Sequence, residues 1–192
     1  MGYLKAKCFT KAFFKKMSNE RIAKWIKENS RMLAGSCVAT KSGINLSKII
    51  CKLSEKRSML NGFIPSHIGS IVSKNGFLYV LNMKPPKADK IGLLEYIATT
   101  DENFVIVLRD FDLDTEQFSK DILKYDGKKY AYLSALQCIS KYFEWLPNIG
   151  EHCSELHAHY LQKQGYFKGV HCDNLTPVEV YEMLLIGDLR KG

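Results

Sequence analysis

The feature that most constrains the fold is an Asn-Gly pair between two apolar segments. Asn75 and Gly76 separate the strand-like run 66–72 from a second apolar run at 77–83. A two-residue Asn-Gly loop accepts the positive φ angles of a turn whose twist suits paired antiparallel strands. The sequence therefore predicts a β-hairpin and, with it, an antiparallel sheet that needs helices to cover it.

Other segments of the chain supply those helices and further strands. The last helix has the clearest start, because Thr176, Pro177 and Glu179 stand in the order of an N-cap, a first-turn proline and a capping-box acid. We predict short strands at 36–40 and 103–109. Helices are expected around 18–33, 45–53, 91–97, 115–124, 130–143 and 153–164, with a Pro/Gly loop at 146–150. The outline is an α+β class with a small antiparallel sheet flanked by helices.

The positive charge of the chain is concentrated at its N-terminus. The formal net charge is +8, and residues 1–34 hold nine Lys/Arg against two Glu, which leaves only +1 for residues 35–192. We interpret 1–34 as a basic N-terminal helical extension and 35–192 as one globular domain. This extension packs on the domain with its lysines in solvent, or it touches an anionic surface or partner. No nucleic-acid partner is expected, because the basic charge is not spread over the body of the fold.

Targeting signals are not evident in the sequence. Lysines interrupt each N-terminal stretch that could form a signal core, and no apolar run is long enough to span a bilayer. We expect a cytoplasmic protein, or one in the host cytoplasm if the source is viral. The six cysteines are then expected to be reduced thiols, mostly in apolar surroundings.

Cys153 differs from the other cysteines in its position. It follows the predicted 146–150 loop and stands at the start of a predicted helix, where backbone N–H groups stabilise a thiolate. A thiol nucleophile also needs a base, and His67 opens the first strand of the hairpin among the small residues Ser66, Gly69 and Ser70. Cys153 and His67 are thus a candidate nucleophile and base.

The order of four short motifs resembles that of a known family. The motifs are Ser66-His67-Ile68-Gly69 before the hairpin, Asn82 after it, Gly127-Lys128-Lys129-Tyr130, and Cys153-Ser154-Glu155-Leu156. Together with a final helix at 177–185, they are similar to the permuted papain-fold, NlpC-type (YiiX-like) cysteine hydrolases, over roughly residues 35–190.

The resemblance implies both a fold and a chemistry. The fold would be circularly permuted papain-like (NlpC-type), with the histidine ahead of the cysteine. Cys153 would attack an amide, peptide or ester carbonyl, His67 would be its base, Asn82 would orient the imidazole, and Tyr130 would be a candidate substrate-binding residue. The implied substrate is a small peptide, amide or acyl compound, and no cofactor or metal is expected. The chain departs from the family in having Asn82 where an acidic residue is common, and Gly35-Ser36 where Gly-Asp is common.

Three alternatives to a hydrolase stay open at this point. Acyl transfer through the same Cys153 thioester is one, and a catalytically silent papain-fold binding protein is another. The third is a zinc protein that uses the histidines and cysteines between 152 and 172, namely His152, Cys153, His157, His159, His171 and Cys172. That cluster lacks a C-x-x-C pair, which weakens the zinc interpretation.

Overall fold

The computed structural model describes residues 6–43, 45–59, 62–131 and 152–186. Over these residues the chain is an α+β protein with one six-stranded sheet, as predicted. The strands are β1 (Cys8–Thr10), β2 (Cys37–Lys41), β3 (His67–Lys74), β4 (Phe77–Asn82), β5 (Asp89–Gly92) and β6 (Asn103–Val107). Their order across the sheet is β1-β6-β2-β3-β4-β5, and every neighbouring pair is antiparallel.

Seven α-helices accompany the sheet in the described part of the chain. They are α1 (Lys11–Phe14), α2 (Asn19–Leu33), α3 (Asn45–Glu55), α4 (Leu93–Thr99), α5 (Thr115–Ile122), α6 (Cys153–Lys163) and α7 (Pro177–Ile186). Short 3-10 turns are found at Leu123–Tyr125 and Cys172–Asn174. None of these helices has the length and apolar character needed to cross a bilayer. The predicted loop at 146–150 and nearly all of the predicted helix at 130–143 lie outside the described residues.

The hairpin forms where the Asn-Gly pair predicts it. Asn75 and Gly76 have φ angles of 52° and 79°, so both central residues of the turn are in the left-handed region. This turn fixes the β3–β4 register, which runs from the Lys74↔Phe77 pair to the Gly69↔Asn82 pair. The capping box of the last helix is also confirmed, since the Glu179 carboxylate accepts the Thr176 N–H at 2.8 Å.

The sheet is buried on both faces by different helices. One apolar cluster joins Ile68, Val72 and Leu81 to residues of α5, α6 and α7. The other joins Ile71 and Val80 to residues of α1, α2 and α4. Side chains alternate between the faces of a strand, so α6 covers the face of Ile68, and α2 and α4 cover the face of Ile71.

The N-terminal residues are part of this arrangement. Phe14 and Trp25 are buried in the second cluster, and β1 pairs with β6 at the edge of the sheet. The prediction that 1–34 is entirely helical is therefore wrong at β1, which is too short to show a period-two pattern. The division of the chain at residue 34 stays a prediction.

A second short strand was also missed in the sequence. The segment 91–97 was predicted as a helix, but Ile91 pairs with Val80 in β5 and the helix begins only at Leu93. β5 is extended because it pairs with β4. This is a tertiary interaction, so the local sequence pattern does not predict it.

Candidate functional site

The imidazole of His67 is held by Asn82 across the hairpin. Gly69 stands opposite Asn82 in the β3–β4 ladder, so His67 is a diagonal neighbour of Asn82 on the same face of the sheet. His67 Nε2 lies 3.3 Å from Asn82 Oδ1, and the two residues are 6% and 4% exposed. An amide oxygen only accepts, so Nε2 donates and Nδ1 is the basic nitrogen of the ring.

Gly69 makes room for this contact. A Cβ at position 69 would lie 2.9 Å from Asn82 Oδ1 and 2.8 Å from Val80 Cγ1, closer than real Cβ atoms approach. Among the small residues near His67, Gly69 is the one for which the structure gives a reason: a side chain at this position would displace Asn82, the hydrogen-bond partner of the histidine.

Cys153 occupies the first turn of α6, as predicted, and is 4% exposed. Burial raises the pKa of its thiol above the ordinary value near 9. The backbone N–H of Ile68 donates toward the sulfur and opposes that shift, as do the N–H groups of Ser154 and Cys153 at the start of α6. The thiol is therefore protonated at neutral pH but surrounded by donors that favour a thiolate.

The contact with Ile68 places the sulfur at the His67 end of β3. Ile71 N–H bonds to Ser36 beside β2, so by alternation the N–H groups of even-numbered β3 residues face β4. The β3–β4 ladder ends at the Gly69↔Asn82 pair, so Ile68, the residue that precedes Gly69 in the chain, is not paired with β4. The Ile68 N–H therefore lies beyond the end of this ladder, and it is near enough to Cys153 to lower the pKa of the thiol.

The side chains of Cys153 and His67 lie on opposite faces of the sheet at this end of β3. Helix α6 lies over the Ile68 face, where His157 Nδ1 is 2.9 Å from Ser70 Oγ, whereas the side chains of His67 and Asn82 belong to the opposite face. Within the described residues, no hydrogen bond joins the Cys153 sulfur to the His67 ring. The structure thus brings His67 and Asn82 into contact, and brings Cys153 to the residue after His67.

A cavity of about 350 Å³ opens beside His67. Its lining is formed by Ser42, Ser47, Ile50, Ser66, His67, Met83, Lys84, Pro85, Glu102 and Tyr130. Tyr130, the predicted substrate-binding residue, is one of these and is 8% exposed. Cys153 is not among the described residues that line the cavity. This volume falls in the range of small-molecule sites.

Lys84 and Glu102 are the charged residues among those that line the cavity, and neither was predicted from the sequence. Lys84 Nζ lies 2.5 Å from Glu102 Oε2, and both side chains are partly exposed. The positive charge of Lys84 lowers the pKa of Cys153 and also that of His67, so it lies within electrostatic range of both. Nothing in the sequence distinguishes Lys84 from the other lysines, because its position depends on how the chain leaves β4.

The pKa of His67 lies well below its ordinary value of 6.5. Burial is the largest cause and the Lys84 charge adds to it, while the hydrogen bond with Asn82 acts in the opposite direction. Neutral imidazole is consequently the resting form at pH 7. A neutral imidazole can accept a proton, whereas an imidazolium cannot.

The histidines and cysteines between 152 and 172 are dispersed over several contacts. His152 is in the capping box of α6 with Glu155, its Nδ1 2.9 Å from Oε2. His157 contacts Ser70, and His171 is exposed. The described side chains that bring three possible ligand atoms within 4.8 Å are Glu155, His159 and Asp173, and of these only His159 belongs to the predicted His/Cys cluster.

The fold and site define an α+β protein with a buried cysteine at a helix start and a His-Asn pair at the adjacent strand end. Comparison with protein-family models, with curated proteins and with solved structures returns no match in any of the three. The likeness to permuted NlpC-type cysteine hydrolases stays a prediction from the motifs.

Proposed function

We propose that this chain is a cysteine hydrolase of the amidase, peptidase or esterase type with a circularly permuted papain-like (NlpC-type) fold. The single observation that carries the proposal is the position of the Cys153 sulfur at the Ile68 amide, next in the chain to a histidine that Asn82 orients. A thiol at a helix start, a histidine base and a third residue that fixes the ring are the parts of a cysteine nucleophile site.

The reaction assigned to these groups begins with proton transfer. His67 Nδ1 takes the thiol proton, through a bridging water because the two groups share no direct hydrogen bond, as the Cys153 sulfur bonds to the acyl carbon of the substrate. The carbonyl oxygen becomes an oxyanion, which the N–H groups at the start of α6 stabilise. The imidazolium then gives its proton to the leaving amine or alcohol, and the carbon–leaving-group bond breaks to leave a Cys153 thioester.

The second half of the reaction removes the acyl group. Water attacks the thioester, His67 accepts a proton from it, and the thiol is restored as the carboxylic acid departs. In the acyltransferase version an acceptor amine or alcohol replaces water in this step. The cavity beside His67, with Tyr130 in its wall, would hold the small peptide, amide or acyl group.

Lys84 has a defined part in this proposal. Its charge favours the Cys153 thiolate and disfavours protonation of His67, so it supports both the nucleophile and the base. Asn82 has no charge with which to stabilise the imidazolium, so its contribution is to orient the ring.

Selective alkylation tests the proposal. The protein is treated with a limiting amount of iodoacetamide at neutral pH, and the modified cysteines are identified by peptide mass spectrometry. We expect Cys153 to react faster than the buried thiols Cys51 and Cys172, and His67→Ala to remove that advantage. His157→Gln, which changes another buried histidine, is the matched control and should leave it intact.

A catalytically silent binding protein of the same fold is the second candidate. The 4% exposure of Cys153 and its raised pKa favour it, because a reactive thiol is ordinarily more accessible and more acidic. Under this alternative Cys153 reacts no faster than Cys51, in the parent protein and in His67→Ala alike. That result would contradict the hydrolase proposal.

A further inference from the structure

A group of lysines and aromatic rings stands at the corner of the molecule formed by α1. Lys15 and Lys16 are exposed, Lys11 is partly exposed, and the ring of Phe13 is 44% exposed between them. We define the basic aromatic corner as Lys11, Phe13, Lys15 and Lys16.

The Phe13 ring is supported from beneath. It packs 5.0 Å from Phe9 and 5.0 Å from Phe14, while Trp25 lies 4.9 Å from Phe14. Because Phe14 and Trp25 are buried, Phe13 is the outermost ring of a packed aromatic group rather than a side chain on a loose segment. An apolar ring held outward among lysines has both features required for binding at the surface of an anionic bilayer.

The charges around the corner extend the same surface. The outward side of α2 carries exposed Arg21, Lys24, Lys27 and Arg31, against exposed Glu20 and Glu28. Lys24 forms an ion pair with Glu28, with 3.9 Å between Lys24 Nζ and Glu28 Oε1. Asp101 is the acidic residue in the groove that Lys11 and Lys15 line. Positive charge predominates in this part of the chain, because the described residues 6–34 hold eight Lys/Arg against two Glu.

We propose that the basic aromatic corner docks this protein on an anionic membrane surface. A second copy of the chain is a poor occupant, since two such corners repel each other. A nucleic acid is disfavoured because residues 35–192 carry a net charge of only +1.

The corner is close to the cavity. Phe14 packs on Phe104 at 5.9 Å, Phe104 pairs with Thr40, and Thr40 pairs with His67. Two strand spacings separate Phe104 from His67, or about 10 Å. The corner and the cavity therefore lie at the same end of the sheet. Docking itself needs no chemistry and does not depend on the proposed hydrolase activity.

Vesicle co-sedimentation tests this inference. The full chain is mixed with phosphatidylcholine vesicles that contain or lack phosphatidylserine. We expect binding only to the phosphatidylserine vesicles and weaker binding at higher salt. Lys15→Glu with Lys16→Glu should lower the partition constant at least about 30-fold, and Phe13→Ser about five-fold.

Matched controls come from the far end of the sheet. Lys74 and Lys120 are exposed there, and Phe77 is 68% exposed in the hairpin. Lys74→Glu with Lys120→Glu makes the same change of charge as the corner double variant, and Phe77→Ser removes a comparably exposed ring. Both should keep parent-like binding, and circular dichroism confirms that each variant is folded.

Several outcomes would overturn the docking proposal. These are no binding to phosphatidylserine vesicles, equal loss in the corner and control variants, or tight binding to a single-stranded oligonucleotide in place of vesicles. Cys153→Ser should bind vesicles like the parent protein, so that loss of the nucleophile and loss of docking are distinguished.

Discussion

His67 and Asn82 lie on one face of the sheet with Gly69 between them, Nε2 to Oδ1 3.3 Å apart. The Asn-Gly turn sets this pairing, because it fixes the register of both strands. The contact makes Nδ1 the basic nitrogen of a ring whose pKa is depressed by burial. Both the orientation of the ring and its pKa can be measured without a known substrate.

Replacement of Asn82 should alter His67 in a direction set by charge. Asn82→Asp places a carboxylate at the ring and should raise the pKa of His67, because a nearby negative charge favours the imidazolium. Asn82→Ala should leave the ring poorly oriented and slow the alkylation of Cys153 about ten-fold or more. Titration of the His67 ring protons by NMR checks the first outcome, and an unchanged pKa in Asn82→Asp would contradict it.

The alkylation of Cys153 should depend on pH as a neutral thiol–imidazole pair requires. The pKa of Cys153 is raised and that of His67 is lowered, so both groups are neutral between about pH 6.5 and 9. The thiolate fraction then rises with pH, and the rate of iodoacetamide labelling should increase through and beyond pH 9. A plateau already reached below pH 7 would show instead a preformed thiolate–imidazolium pair.

Gly69→Ala should disturb the site and the hairpin together. The added methyl group would overlap Val80 Cγ1 and Asn82 Oδ1, so the free energy of unfolding should fall by about 1–3 kcal/mol. Labelling of Cys153 should also slow as Asn82 is displaced. Gly43→Ala is the control, since its Cβ meets no atom within 4 Å. Urea denaturation of both variants measures the difference, and equal stability would refute the steric argument.

His157 should make the protein sensitive to mild acid. It is fully buried against Ser70, and burial lowers its pKa to about 4 from 6.5. As pH falls below 6.5, His157 therefore becomes protonated in the unfolded chain before it does in the folded protein. The folded state loses about 3 kcal/mol of stability between pH 6.5 and pH 4 for this reason.

Comparison with His157→Gln isolates this contribution. The parent protein should lose about 3 kcal/mol more than the variant between pH 7 and pH 4 in denaturant titrations. Parallel pH profiles for the two proteins would mean that His157 is not held neutral by burial.

The sequence was informative where structure is decided locally. Asn75 and Gly76 determine the hairpin, and Thr176 with Glu179 determines the start of α7. The register of the hairpin also makes the His67–Asn82 contact accessible from sequence. By contrast, β1 and β5 are three and four residues long and owe their conformation to the strands beside them.

The rest of the site depends on tertiary packing. Cys153 and the Ile68 amide are far apart in the chain but close in the fold. The order of the His67 and Cys153 motifs indicates that they are neighbours, but it does not determine which face of the sheet α6 covers. The Lys84–Glu102 pair depends on the path of the chain after β4 and has no local signal.

Formation of an acyl-enzyme tests the central claim most directly. The protein is mixed with p-nitrophenyl acetate, quenched in acid, and analysed by intact-mass and peptide mass spectrometry. A single acetyl group on Cys153, absent from Cys153→Ser and strongly reduced in His67→Ala, is the expected result. Acetylation that falls on exposed Cys8 instead, or that persists on Cys153 without His67, would contradict the assignment of nucleophile and base.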